Sequence, residues 1–167
     1  VEAFQHTTNQ SDIFEYHSEP INAKNVPENL KGLRTMFLSF HHFQPKNAKM
    51  ILQNAINSNQ PIAVLEIQDR SLPSIVAMLL SPVSVLFTTP FIRPFRWSRL
   101  FFTYLIPIVP FVVLWDGIVS ALRTYTVEEM RNLINSLENN TAFEWNFNKK
   151  KSKTGFVIYT IGIPKKQ

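Results

Sequence analysis

The sequence predicts an α/β fold, and three observations carry that prediction. Two mostly apolar runs of strand length, Arg34–Phe40 and Pro61–Ile67, are typical of parallel strands that are covered on both faces. An amphipathic helical pattern lies between them, with short polar links on either side. A strand, a helix and a second strand in this order form a βαβ unit, which is nearly always right-handed. Two further strand patterns close the chain.

The elements of the first half have clear boundary signals. Ile13–Ser18 is a short candidate strand, and a polar connection that contains prolines follows it. Lys46–Asn57 is predicted to be a helix, because its apolar residues recur at helical spacing and Pro45 stands just before it. A polar turn after this helix leads into the strand Pro61–Ile67.

The second half ends in a helix and a hairpin. Thr126–Asn139 is the clearest helix of the chain, since Thr126 and Glu129 have the spacing of a capping box and apolar residues follow at helical spacing. Ala142–Phe147 and Gly155–Gly162 are strand patterns on either side of a lysine-rich turn. The simplest arrangement for them is an antiparallel hairpin.

Residues 72–122 form an apolar insertion between the two halves. It contains two strongly apolar stretches, Ser74–Ile92 and Leu100–Trp115, each near the ~20 residues that cross a bilayer. Prolines interrupt both stretches, and the arginines 93, 96 and 99 lie between them. We expect a helical cap that packs over the carboxyl edge of the sheet and covers a pocket. An interfacial or re-entrant membrane segment and an inserted helical hairpin are the alternatives.

Composition limits the classes of function. With 167 residues, 45% of them hydrophobic and 17% charged, the chain suits a single globular domain. The absence of cysteine excludes a disulfide framework, a thiolate zinc site and a cysteine nucleophile. The net charge is +5, but the basic run Lys149–Lys151, with Lys153, lacks interleaved aromatic residues. We expect a solvated turn there, no specific nucleic-acid partner, and a cytoplasmic location with membrane association left open.

Two segments carry a family resemblance: RTMFLSFHHFQP at residues 34–45 and LWDGIVSALRTYT at residues 114–126. With the order of the elements, they resemble class I S-adenosylmethionine-dependent methyltransferases, and more narrowly a bacterial group of methyltransferase-like proteins. The first segment looks like the family's fourth strand, its aromatic–histidine ending and the helix that follows. The turn after Ile13–Ser18 looks like the one that meets the adenine. The resemblance implies cofactor contacts from Ile21, Asn22, Ser39 and Phe40.

Part of the family's cofactor site is absent from the sequence. The family's first strand carries a glycine-rich loop, whereas no two glycines of this chain fall in one short loop (Gly32, Gly117, Gly155 and Gly162). The acidic residue that ends the family's second strand is absent as well. The resemblance therefore implies the C-terminal part of a Rossmann-like methyltransferase sheet, with an antiparallel terminal hairpin and an apolar helical insertion.

The strands of the family's sheet lie in the order three, two, one, four, five, seven, six. The resemblance implies that residues 1–167 form one partial domain, the C-terminal portion of this sheet. Arg34–Ser39 would then be an exposed apolar edge, which is an aggregation hazard. We expect a missing N-terminal half or a second chain to cover this edge. S-adenosylmethionine binding by this chain alone is expected to be weak or absent.

His41, His42 and Glu66 are the candidate catalytic residues. If both histidines end a strand, their side chains point to opposite faces, so they do not share a metal, and no metal site is expected. One of them can act as a general base at the carboxyl edge of the sheet; a structural role is the alternative. Glu66 ends the next strand, where it can hold a substrate hydroxyl or amine, pair with Arg70, or cap a helix.

Trp115, Asp116 and Tyr125 are the candidate residues for substrate binding, since they form a polar group beside an apolar stretch. Asp116 and Arg123 are seven residues apart, which places them on roughly the same face of a helix two turns apart. A structural ion pair between them is the alternative to substrate contact.

The leading functional hypothesis is methyl transfer from S-adenosylmethionine to a small, apolar acceptor by the full-length protein. The alternative from another class is a non-enzymatic membrane-surface protein anchored through residues 72–115. A degenerate paralogue that keeps the fold as a binding module is a third hypothesis.

Overall fold

A computed structural model describes Thr8, Ile13, Glu15 and residues 17–152 and 155–166. The strands in this part of the chain are β1 (Arg34–Phe37), β2 (Ile62–Glu66), β3 (Phe143–Ser152) and β4 (Gly155–Pro164). The α-helices are α1 (Pro45–Asn57), α2 (Leu72–Leu79), α3 (Ser81–Thr88), α4 (Trp97–Leu100), α5 (Ile108–Arg123) and α6 (Val127–Asn135). Short 3-10 turns cover Phe40–His42, Thr89–Phe91 and Asn140–Ala142, and one π-helical turn covers Phe101–Leu105.

The four strands form one mixed sheet in the order β1-β2-β4-β3. β1 and β2 are parallel, and α1 connects them, so the predicted strand–helix–strand unit is present. β4 runs antiparallel to both of its neighbours, β2 and β3. The predicted C-terminal hairpin is confirmed, although both of its strands are longer than the sequence patterns. The α/β class is therefore confirmed at the level of a mixed sheet with helices.

One face of the sheet is covered by α1 and α6. The apolar stripe of α1 buries Ala48, Ile51 and Leu52 against the Ile62 and Val64 side chains of β2. α6 adds further apolar side chains to the same core (Met130, Ile134 and the following Leu137). Burial of these side chains is the main term that stabilises the fold.

The opposite face of the sheet carries apolar side chains that no described element covers. Phe37, Leu65 and Tyr159 stand in one row across β1, β2 and β4. Phe37 is 63% exposed, and Leu65 and Tyr159 are half-buried. The prediction that the two parallel strands are covered on both faces is therefore wrong for the described residues.

Two element boundaries differ from the prediction for reasons of backbone geometry. β1 ends at Phe37 instead of Phe40, because Leu38 adopts a φ of 50° and a 3-10 turn follows. α6 ends at Asn135 instead of Asn139, and Asn139 adopts a φ of 54° that a helix does not allow. The capping box is confirmed: Thr126 Oγ1 accepts from the Glu129 N–H at 3.1 Å, and Glu129 Oε2 accepts from the Thr126 N–H at 2.9 Å.

The predicted strand Ile13–Ser18 lies partly outside the described residues, which omit positions 14 and 16. Ile13, Glu15, His17 and Ser18 are described and carry no strand pairing. The strand is thus not found in the part of it that can be seen.

Lys149–Lys151 lie within β3 and not in a turn, so the prediction of a solvated lysine turn is wrong for these residues. The Lys149 ammonium pairs with the buried carboxylate of Asp69 and lies 4.1 Å from the centroid of the Phe156 ring. Position 153 lies outside the described residues. The Lys149 ammonium group therefore contacts both a carboxylate and an aromatic ring of the chain.

The apolar insertion is helical, as expected, but it buries little of its own surface. The consecutive helical elements of Leu72–Phe91, α2, α3 and a 3-10 turn, form a segment of 20 residues that is long and apolar enough to cross a bilayer, and only 6% of its most apolar part is buried. α5 packs against α2 and α3. The segments Trp97–Leu105 and Ile108–Arg123 meet the same apolarity test only as one span bent by 77°. The expected cap contacts the turn Phe40–His42 through α5, and Pro73 and Met78 of α2 share a cavity wall with Phe156 of β4.

Candidate functional site

The carboxyl ends of β1 and β2 hold a buried cluster around Glu66. Glu66 is the last residue of β2 and is 4% exposed. Its Oε1 accepts the backbone N–H of Phe40 at 2.8 Å and of His41 at 3.2 Å. Its Oε2 lies 2.9 Å from Nδ1 of His41. One carboxylate therefore holds both the backbone of the turn and the ring that the turn carries.

These contacts fix the tautomer of His41. Because Glu66 uses its oxygens as acceptors, Nδ1 of His41 carries the proton that it donates to Oε2. In a neutral imidazole with this tautomer, Nε2 has the free lone pair, which is the form a general base requires. His41 is 6% exposed, whereas the neighbouring His42 is exposed.

The two histidines lie side by side, with ring centroids 4.3 Å apart. The expectation that they point to opposite faces is wrong, because they belong to a 3-10 turn and not to a strand. No group of three or more His, Asp or Glu residues with metal-binding geometry occurs in the described ranges.

A cavity of about 410 Å³ opens beside the two histidines. It lies between the turn after β1, the start of α1, the end of α5 and the first turn of α6. The side chains that form its wall are His41, His42, Phe43, Gln44, Pro45, Arg70, Leu122, Arg123, Tyr125 and Glu129. The wall thus combines a histidine base with arginines, a phenol and one apolar residue of the insertion.

Tyr125 connects α6 to the turn that carries the histidines. Its hydroxyl donates to the carbonyl oxygen of Phe43 at 2.8 Å, and its ring centroid lies 5.5 Å from that of the fully buried Phe40. Burial raises the pKa of Tyr125, and the negative charge of Glu129 adds to the effect while Arg70 opposes it. Tyr125 is therefore neutral at physiological pH.

Glu129 and Arg70 form an ion pair at the wall of the cavity, with Nη1 and Oε1 2.8 Å apart. Burial alone would raise the pKa of Glu129, but the N–H of Thr126 and the charge of Arg70 together hold it below the ordinary value. Arg70 is thus engaged by Glu129, and the expected alternative pairing of Glu66 with Arg70 does not occur. The capping alternative for Glu66 is closer, since its carboxylate binds the backbone N–H groups of a 3-10 turn.

The structure brings some of the sequence-predicted site residues together and leaves others apart. His41, His42 and Tyr125 line the cavity, and Glu66 lies directly behind His41. Trp115 and Asp116 are exposed on α5 and do not line it. The ion pair between Asp116 and Arg123 is absent as well, because two helical turns separate them by about 10 Å.

The predicted cofactor residues do not form one site in the described chain. Phe40 is completely buried, and the side-chain oxygen of Asn22 accepts the Lys24 N–H at 3.0 Å. Ile21, Asn22, Ser39 and Phe40 are absent from the wall of the cavity. Gly32, in the left-handed region at φ 124°, stands by itself in a loop and makes no cradle for a phosphate or ribose. These residues alone do not fit S-adenosylmethionine.

The sequence does not identify Gln44, Arg70 and Glu129 as residues of the cavity wall. Gln44 directly precedes α1, which follows from the Pro45 signal. The contact of Arg70 with Glu129 joins positions 59 residues apart and has no local signal. Comparisons of the chain with models of protein families, with curated proteins and with solved structures find no match.

Proposed function

We propose that the domain to which this chain belongs transfers a methyl group from S-adenosylmethionine to a small, largely apolar acceptor. The observation that carries the proposal is the order and direction of the strands. β1, β2, β4 and β3 lie side by side, with β4 reversed between β2 and β3. The resemblance implies that same order for the family's strands four, five, seven and six.

The helices agree with this assignment. α1 follows β1, α6 precedes β3, and both pack on one face of the sheet. In a doubly wound sheet the other face carries its own layer of helices. The uncovered row of Phe37, Leu65 and Tyr159 is the surface that such a layer would bury.

No strand of the described ranges pairs with the outer edge of β1, which supports further strands in the sheet. The N–H groups of Arg34 and Leu38 bond to β2, at 2.9 Å to Pro61 O and 3.0 Å to Leu65 O. Because backbone groups alternate along a strand, those of Thr35 and Phe37 point away from β2. An unprotected apolar edge of this kind is a template for pairing with another strand. Further strands would supply the cofactor cradle that the described residues lack.

The chain's own contribution is the acceptor side of the reaction. His41, held by Glu66 in the tautomer with a free Nε2, removes a proton from an acceptor hydroxyl or amine in the cavity. Tyr125 and Phe43 fix the position of the turn that carries His41. Leu122 supplies an apolar contact at the cavity wall. S-adenosylmethionine supplies the methyl group when it is bound by the complete domain.

Calorimetric titration with S-adenosylmethionine tests the proposal on two proteins. The first is the product of the full natural reading frame, and the second is residues 1–167 alone. We expect saturable binding by the first and very weak or no binding by the second. Absence of binding by the full product would remove the enzyme assignment, and tight binding by residues 1–167 would refute the argument for missing strands.

A second candidate function is favoured by the exposure of the insertion. Phe87, Phe91 and Trp97 are 74%, 80% and 77% exposed, which suits a non-enzymatic membrane-surface protein anchored through residues 72–115. Sedimentation with anionic vesicles together with the calorimetry separates the two candidates. Vesicle binding without S-adenosylmethionine binding would favour the anchor, and S-adenosylmethionine binding would favour the enzyme.

A further inference from the structure

One face of α5 is apolar and mostly exposed, with the half-buried Val119 between its exposed residues Trp115 and Leu122. Ile108, Phe111, Val112, Trp115 and Leu122 recur at helical spacing, with exposed fractions between 48% and 73%. We call these five residues the α5 stripe. A helix of a water-soluble surface places polar residues on its outer face, so the α5 stripe requires an apolar partner.

The opposite face of α5 is already occupied. Gly117, Ser120 and Ala121 are buried there, and a Cβ built on Gly117 would lie 2.8 Å from the Met78 sulfur of α2. α5 therefore packs on α2 with its small residues and presents its large apolar residues outward. The orientation of the α5 stripe follows from this packing.

The α5 stripe leads into the cavity beside the histidines. Leu122, its last residue, lines the cavity together with His41 and His42. From Ile108 to Leu122 the α5 stripe is about 21 Å long, more than the half-thickness of a bilayer's hydrocarbon core, about 15 Å. The end of a hydrocarbon chain that lies along the α5 stripe would therefore reach the cavity beside His41.

The end of the α5 stripe is positively charged. Arg123 follows Leu122, lines the cavity and is exposed, and within the described ranges no carboxylate lies at ion-pair distance from it. His42 is exposed beside it. Arg70 is also present but is neutralised by Glu129. An unpaired guanidinium at this place complements an anionic polar group.

The rest of the insertion is complementary to an anionic membrane surface. From Arg70 to Trp115 the sequence contains no aspartate or glutamate, and Asp116, exposed on α5, is the one acidic residue between Arg70 and Arg123. Arg93 and Arg96 are exposed next to the exposed Trp97, and aromatic and basic residues of this kind lie at headgroup level. Leu72–Phe91 presents its own exposed apolar residues, among them Leu72, Leu79, Val83 and Phe87. Positive charge and exposed apolar surface together favour an anionic bilayer as the partner of the insertion and as the source of the molecule that lies along the α5 stripe.

We propose that the acceptor is an anionic amphiphile drawn from a lipid bilayer, whose hydrocarbon part lies along the α5 stripe and whose polar group enters the cavity beside His41 and Arg123. The identity of the cavity as a methyl-acceptor site rests on the proposed function. The binding mode does not, so it is tested by binding alone.

The first experiment measures flotation of the chain with vesicles of phosphatidylcholine mixed with phosphatidylglycerol. The double variant Phe111→Ser, Trp115→Ser is expected to bind about ten-fold more weakly, because two large exposed side chains no longer enter the hydrocarbon. Phe37→Ser is the matched control, since Phe37 and Phe111 are 63% and 65% exposed. Equal binding of the double variant and the control would overturn the proposal, as would a dimer in which neither vesicles nor solvent quenchers reach Trp115.

The second experiment examines the polar end with a stearate that carries a doxyl spin label in its chain. Contact quenching of Trp115 is the difference in fluorescence loss between the unmodified chain and Trp115→Phe. Arg123→Gln is expected to raise the half-saturating concentration about five-fold, the loss of one near-surface cation. Arg131→Gln, on α6, is the control and should have no effect.

The methyl ester of the same labelled stearate lacks the negative charge. Its half-saturating concentration should therefore be nearly the same for the unmodified chain and for both arginine variants. A stearate response that is unchanged in Arg123→Gln would overturn the assignment of the polar end. The substituted side chains of Phe37, Phe111, Trp115 and Arg123 are exposed, so melting temperatures by circular dichroism should be unchanged for these variants. The Arg131 guanidinium lies 5.2 Å from the Phe147 ring centroid, so Arg131→Gln is compared at a temperature at which it is fully folded. The vesicle and stearate results could agree with these predictions while the product of the full reading frame fails to bind S-adenosylmethionine. This combination would refute the proposed methyl transfer but not the proposed binding mode.

Discussion

Nδ1 of His41, in the turn after β1, and Oε2 of Glu66, at the end of β2, lie 2.9 Å apart. Both side chains are almost completely buried, at 5% and 6% exposure. The carboxylate also accepts the N–H groups of Phe40 and His41, so the group that orients the imidazole also holds its backbone. Orientation of the base is therefore coupled to the stability of the sheet edge.

Replacing Glu66 with glutamine tests this coupling. Glu66→Gln keeps the volume but turns one acceptor oxygen into an amide donor that faces N–H groups. We expect the free energy of unfolding in urea to fall by about 1–3 kcal/mol, and the ¹⁵N shifts of His41 to show a mixture of tautomers. Glu144→Gln, exposed on β3, is the control and should change stability by less than about 0.5 kcal/mol. Equal stability of the two variants would speak against the coupling.

Tyr125 should titrate above the ordinary range of a tyrosine, because its pKa is raised. Burial and Glu129 raise its pKa, so the folded state holds the phenolic proton more tightly than the unfolded state does. Its contribution to stability is complete below the unfolded pKa of about 10 and is lost as the pH rises through the folded value. In a spectrophotometric titration, Tyr125→Phe should remove a component that titrates above the ordinary pKa of about 10. An unchanged high-pH component in this variant would show that Tyr125 is not its source.

The capping box of α6 should contribute measurably to stability. Thr126→Ala removes the side-chain oxygen that accepts the Glu129 N–H, which is expected to cost about 1 kcal/mol, within the usual range of about 0.5–2 kcal/mol. Thermal and urea unfolding measure the effect. Thr141→Ala, an exposed threonine outside a cap, should be close to neutral. If both alanine variants were equally stable, the hydrogen bonds of the box would carry no net free energy.

The uncovered sheet face should promote self-association of residues 1–167. Phe37→Lys places a charge in the exposed row and at the free edge, so we expect sedimentation velocity to show less association than for the unmodified chain. Met50→Lys, at an exposed position on α1, is the control and should leave association unchanged. Equal association in all three proteins would mean that another surface drives it.

The elements with local signals could be predicted from the sequence. Lys46–Asn57 and the hairpin are present because proline position, helical spacing and strand alternation act over a few residues. The hairpin also uses a close approach that the sequence permits: a Cβ on Gly162 would lie 2.4 Å from the ring of its cross-strand partner Trp145. The capping box of α6 formed as its spacing indicates.

The errors arise where contacts distant in sequence decide the structure. The strand before His41 was predicted to run to Phe40, but the carboxylate of Glu66 captures two N–H groups there and a 3-10 turn forms. The side-by-side histidines follow from that turn. Asp116 needed no arginine partner because α5 is exposed on that side, which apolar composition alone did not indicate.

The central proposal is that β1 lies inside a wider sheet, whose further strands belong to a longer reading frame or to a second chain. Hydrogen exchange by NMR at the amides of Thr35 and Phe37 tests it most directly, since both point away from β2. We predict fast exchange in residues 1–167 alone and strong protection in the product of the full natural reading frame. Fast exchange of both amides in the full product would contradict the claim.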